Sequence, residues 1–90
     1  MVRYFVILDG RVQGVGFRYF AQSNAIKNSL TGWVRNMDNG MVEIEVQGIE
    51  EKVNKFLSII RRGNSFIRVD DFSVKKLDLV ADEKKFKVFY

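Results

Sequence analysis

The stretch Gly10-Arg11-Val12-Gln13-Gly14-Val15-Gly16-Phe17-Arg18 spaces three glycines along a loop that leaves a strand-like run and enters a helix-like one. The first amides of a helix have no intrahelical acceptor, and the helix dipole adds partial positive charge beside them. Glycines let the loop before them curl, so that successive N–H groups converge. Together these features suit an anion of phosphate size. Two other phosphate loops are excluded. The dinucleotide pattern G-x-G-x-x-G needs glycine where Tyr19 stands, and the Gly-Lys-Ser/Thr of a P-loop is missing. Spacing alone is met equally well by a tight strand-to-helix connection.

Arg18 weighs on the side of an anion. A cation in the first helical turn faces the positive end of the dipole, at a cost of about 0.3–1 kcal/mol. An anion between guanidinium and amides would reverse that sign, and arginine offers a fork that matches phosphate oxygens. A surface arginine paired with a carboxylate is the competing reading. Asn36 is the second residue of interest, because asparagine is depleted in strands and this one closes the run Trp33-Val34-Arg35-Asn36. Its position beside the turn Asp38-Asn39-Gly40 is also met by an ordinary turn asparagine, and Trp33 by an ordinary packing residue. The chain contains no His and no Cys. Chemistry here therefore falls to Arg, Lys, Asn, carboxylates and backbone amides, with no thiolate or imidazole for a metal. No cofactor or metal is expected.

The elements that must hold these residues follow from periodicity. Tyr4 to Leu8 is a short apolar run that reads as a central strand. Phe17 to Lys27 places Phe17, Phe20, Ala21, Asn24 and Ala25 at helical spacing, and Asn28 or Ser29 ends it. Leu30 to Met37 and Met41 to Gln47 read as a hairpin, with Val42, Ile44 and Val46 inward and Glu43, Glu45 and Gln47 outward. A three-residue loop with Gly40 left-handed sets Val34 opposite Ile44 and Arg35 opposite Glu43. Val53, Phe56, Leu57 and Ile60 mark a second helix that ends near Gly63. Glu50 and Glu51 at its start and Arg61 and Arg62 at its end suit the dipole. Val69, Phe72 and Val74 mark another strand, and Phe86 to Phe89 a last one. The order β-α-β-β-α-β plus a terminal strand is an α+β, ferredoxin-like split βαβ plan. It has two helices on one face of an antiparallel sheet.

Ninety residues, 47% of them hydrophobic, suit one domain over 1–90 with a single core. The apolar run near the N-terminus is too short for a signal peptide or a membrane span. A cytoplasmic protein without membrane contact is expected, and a monomer is the default at this size. The net charge of +4 favours anionic ligands. Lys75, Lys76, Lys84, Lys85 and Lys87 supply much of it, which reads as a solvated face or charged edge strand. An RNA-binding sheet would need interleaved basic, glycine and aromatic residues on a strand. Met41 to Gln47 offers glutamates instead, so no nucleic-acid partner is expected.

Taken together, Gly10 to Arg18 (GRVQGVGFR), Gly32 to Asn36 (GWVRN) and Gly40-Met41-Val42-Glu43 resemble the acylphosphatase family over essentially the whole chain. The similarity extends to the helix beginning at Glu50 and to the final Tyr90. It implies an enzyme that hydrolyses acyl phosphates to a carboxylate and inorganic phosphate without a metal. It implies Arg18 as the catalytic arginine that binds phosphate and Asn36 as the residue that orients water. Gln13, Gly14, Val15, Gly16, Phe17 and Arg18 would bind substrate, the amides of about Val15 to Arg18 completing the cradle. Departures fall in turns: Ser29 stands where the family commonly has glycine, no proline lies between Gly63 and Ile67, and the hairpin reads Asn39-Gly40. The family's domain also occurs at the front of larger maturation enzymes that carry cysteine clusters, which this chain lacks. An acyl phosphate releases a carboxylate of pKa about 4, which leaves without protonation. Asparagine is no base at neutral pH, so the water proton is expected to pass to a substrate oxygen or to solvent.

Overall fold

The computed structural model describes residues 1–90. The elements follow the order β1 (Val2–Arg11), α1 (Phe17–Lys27), β2 (Thr31–Asn36), β3 (Val42–Gly48), α2 (Glu50–Arg62), β4 (Arg68–Leu77) and β5 (Phe86–Phe89). One sheet contains all five strands in the order β4-β1-β3-β2-β5. The pairs β1–β3, β1–β4 and β2–β3 are antiparallel, as the split βαβ plan requires. The added strand β5 runs parallel to β2, so the complete sheet is mixed rather than antiparallel. The connection leaves the foot of β4 and crosses the sheet to its other edge, so β5 starts at the foot of β2 and climbs beside it.

β1 reaches further at both ends than the apolar run from Tyr4 to Leu8, because β3 pairs with it from Val2 and β4 pairs with it as far as Arg11. α1 begins and ends where its periodicity indicates. Its left-handed terminator is Ser29, with φ of 57°, rather than Asn28. The hairpin adopts the register that sets Val34 against Ile44 and Arg35 against Glu43. It closes through the Met37 N–H on Met41 O at 2.8 Å, with Gly40 at φ of 90°.

Seventeen buried apolar residues form the core between sheet and helices. Val6 and Leu8 of β1, Val34 of β2 and Val42, Ile44 and Val46 of β3 meet Phe17, Ala21 and Ala25 of α1 and Val53, Phe56 and Ile60 of α2. The opposite face corrects one expectation. Glu43 and Gln47, assigned outward, are only 7% and 6% exposed. Arg3 is buried beside them, bonded to Glu45 at 2.8 Å, to Glu83 at 2.8 Å and to Gln47 at 3.2 Å. Gln47 in turn exchanges two hydrogen bonds with the backbone of Val80. The connection from β4 to β5 is thus fastened across part of the face that alternation alone assigns to water. Lys75, Lys76 and Lys87 lie on the two edge strands, exposed, as a charged sheet edge would have them.

Connectivity decides where chemistry can gather. The end of β1, the start of α1, the end of β2 and the end of β5 all lie at one end of the sheet. Arg18, Asn36 and Tyr90 meet there.

Candidate active site

The chain between β1 and α1 turns with Gly14 at φ of 73° and Gly16 at 77°, left-handed values that side chains resist. A Cβ on either would meet nothing within 4 Å. The glycines are therefore required by backbone angle and not by crowding. Gly16 stands at the helix N-cap, no side chain caps it, and the first turn contains no acid. From Gly14 through Tyr19 no backbone N–H finds an acceptor in the protein, and the first to do so is Phe20, on Gly16 O at 3.1 Å. Helix starts normally offer such amides a Ser, Thr, Asp or Asn oxygen. Six consecutive free donors at the positive end of a dipole form a place for an anion.

Arg18 has no carboxylate partner, which removes the surface ion pair as its explanation. Its Nη1 donates to Phe89 O at 3.0 Å, and its Cζ lies 4.8 Å from the centre of the Tyr90 ring. The Tyr90 hydroxyl shares a 2.9 Å hydrogen bond with that of Tyr19, which holds the Tyr90 phenol above its ordinary value of 10.0. Phe89 stacks on Trp33 at 5.8 Å, so β5 ties this aromatic group to β2. Trp33 is thus a packing residue.

Asn36 ends β2 beside the loop. Its Oδ1 is buried and has no hydrogen-bond partner in the protein. A buried orphan acceptor costs about 1–3 kcal/mol where it stays unpaired, and such atoms are rare enough to mark function.

Gly14, Gly16, Phe17, Arg18 and Asn36 line one concavity of about 170 Å³. Arg18 and Asn36 also line a second, wider groove of about 1090 Å³, which runs on past Arg35, Asp38, Glu43 and Tyr90. The two residues therefore stand where a small cradle opens into a larger trough. Arg35 donates to Glu43 through Nε at 2.7 Å and also through Nη2, which leaves Arg18 as the groove's unpaired cation.

Gln13 lines the wider groove together with Arg18 and Asn36. Its side-chain amide donates to Met37 O at 2.7 Å and Met41 O at 2.8 Å, carbonyls of the hairpin. The side chain is committed to the protein, so it fastens the loop and does not offer its donors to a ligand. Val15 is half-buried against the core, its contribution limited to its backbone. The contacts of Arg18 with Phe89 and Tyr90, and of Tyr19 with Tyr90, carry no local signal in the sequence, since 71 residues separate the partners.

The family model described as Acylphosphatase matches residues 4–88. A curated acylphosphatase of Clostridium beijerinckii is 54% identical over 90 residues, covering all of both chains. The crystal structure of acylphosphatase from Bacillus subtilis superposes with a TM-score of 0.94 at 43% identity, again over the whole of both chains. Full-length HypF, solved in a phosphate- and nucleotide-bound form, contains a similar unit. That match has a TM-score of 0.85 at 33% identity and spans all of this chain but only 12% of that one.

Proposed function

Since the chain belongs to the acylphosphatase family and hydrolyses acyl phosphates, we propose that Arg18 and the free amides of the loop hold the phosphoryl group while Asn36 holds the attacking water. The observation that carries this reading is a convergence. An arginine without a carboxylate, an orphan asparagine oxygen and uncapped helix amides all border the same small concavity.

Phosphoryl transfer asks for positioning and for charge stabilisation more than for covalent help. The amides of about Val15 to Arg18 and the guanidinium donate to the phosphoryl oxygens, as an oxyanion hole does. Water donates one O–H to Asn36 Oδ1, which leaves a lone pair directed at phosphorus. The new O–P bond forms as the bond from phosphorus to the carboxyl oxygen breaks. The products are a carboxylate and inorganic phosphate, and the water proton passes to a phosphoryl oxygen or to solvent. The carboxylate leaves as a weak base of pKa about 4, so the step requires no metal and no general acid. The acyl half occupies the wider groove.

In this reading residues 1–90 act as one domain, supported by the single core. A monomer is the working unit in the same reading. A cytoplasmic location belongs to the same reading. No helix is long and apolar enough to cross a membrane.

The test is hydrolysis of an aryl acyl phosphate, with chelator present, by the wild type, Arg18→Ala and Asn36→Ala. Arg18→Ala should raise the inhibition constant of inorganic phosphate and lower turnover. Asn36→Ala should lower kcat and leave phosphate inhibition near its original value. Activity within threefold of wild type in either variant would show that the site lies elsewhere.

A further inference from the structure

We infer that Gln13 is a positioning residue that fixes the separation between the phosphoryl cradle and the water held by Asn36. This rests on the roles given above to the loop and Asn36.

Gln13 lies directly before Gly14 in the run of amides that find no acceptor, and Met37 directly follows Asn36. The Nε2 group donates one proton to Met37 O at 2.7 Å and the other to Met41 O at 2.8 Å. Reversing the amide would set Oε1 against two carbonyl oxygens, so the neighbours fix its orientation. The two carbonyls belong to the residues that close the hairpin turn. Met41 O also accepts the Met37 N–H at 2.8 Å, and Met37 O the Gly40 N–H at 3.2 Å. No other hydrogen bond joins residues 12–19 to residues 36–41.

The cradle and the water site thus belong to separate elements, α1 and the end of β2, and one amide bolts them together. Without it each half keeps its own support. The cradle retains the helix behind it, and Asn36 retains its pairing with Val42. What is lost is the gap between them, which sets the distance and line of attack on phosphorus. A displacement on the order of 1 Å at such a position can cost about 100-fold in rate.

Gln13→Met keeps length and removes both donors. Its kcat should fall roughly 10- to 100-fold, while the inhibition constant of inorganic phosphate stays within about threefold. In an Asn36→Ala background the same change should alter kcat by less than about threefold, because no positioned water remains to be misplaced. Gln13→Glu provides a second readout that does not depend on the first variant folding. Its carboxylate repels both carbonyls at pH 7, and protonation restores one donor, so relative activity should recover as pH falls toward about 4.3. Three results would overturn the inference: kcat within twofold of wild type, a parallel rise in the phosphate inhibition constant, or full multiplication of the two losses in the double variant. An Arg18→Ala control that stays active would instead remove the underlying site assignment.

Discussion

Replacing Asn36 by valine separates catalysis from folding more sharply than any other single change. The residue stands in a strand, where asparagine is disfavoured and valine favoured on a scale spanning about 1 kcal/mol. Its Oδ1 is buried with no partner in the protein. The penalty for such an atom lies between about 1–3 kcal/mol if it stays bare and about 0–2 kcal/mol if an ordered water must be held against it. Val12 and Phe17, both 1% exposed, border the same concavity, so added methyl groups find apolar neighbours. The backbone pairing with Val42 is unaffected. These terms share a sign, and Asn36→Val should gain about 0.5–2 kcal/mol, after discounting for the open mouth of the site. For a chain of this length that corresponds to a rise in Tm of roughly 2–16 °C. Turnover should fall at least about 100-fold, because valine cannot accept the hydrogen bond that holds the water in place. The measurements are thermal unfolding without phosphate and steady-state hydrolysis of an aryl acyl phosphate by the same sample. A variant that is less stable yet active would refute the reasoning, since Asn36 would then be holding the strand and not the water.

Other outcomes follow from the same contacts. Arg18→Lys keeps the charge but loses the fork, and kcat/KM should fall by about 10- to 150-fold, the worth of one charge-assisted bond of roughly 1.5–3 kcal/mol. At Glu83 burial pushes the carboxyl up, but the hydrogen bond and charge of Arg3 outweigh it and hold it below its ordinary 4.5. The stability this pair adds is present above the unfolded value and is lost as pH falls through the folded one. Melting curves of Glu83→Gln and wild type should therefore differ at pH 7 and draw together only as pH falls below the ordinary 4.5 and through the lower folded value. Ser29 is exposed and holds a left-handed φ of 57°. Ser29→Gly should relieve about 1–2 kcal/mol of strain and return about half to the freedom of the unfolded chain, for a net rise in Tm seen by calorimetry with kcat unchanged.

The fold was legible where its determinants are local. Val42, Ile44 and Val46 alternate with polar residues, and a one-residue slip would bury charge, so alternation and the Gly40 turn determined the hairpin register. α1 and α2 were legible from their stripes. The burial of Glu43 and Gln47 was not, because alternation reports which residues share a face and not what covers that face. The cover arrives from Val80 and Glu83, and the cation from Arg3, partners 33 to 80 residues away. The parallel course of β5 was hidden for a related reason, since four residues, Phe86–Phe89, carry no mark of direction. Of the site, the loop and its arginine were legible because glycine spacing and an ill-placed cation are visible in one dimension. The commitment of the Gln13 side chain to the hairpin was not, since its acceptors are backbone carbonyls that every residue type possesses.

A chain without His or Cys reaches hydrolytic chemistry by leaving ordinary groups unfinished. Helix amides are common to all helices, and arginine and asparagine to most surfaces. What distinguishes this end of the sheet is that folding declines to satisfy them. Gly16 occupies the cap position where a serine oxygen would take an amide. Arg18 is steadied by a carbonyl and an aromatic ring, which orient the guanidinium without cancelling its charge as a carboxylate would. Glu43, the glutamate that lines the groove, is already occupied by Arg35. Each arrangement gives up a little stability and leaves a donor or a charge aimed at the same small volume. A phosphoryl group is the ligand we propose for all of them at once, and a transition state with its charge spread over three equatorial oxygens suits donors that converge in this way.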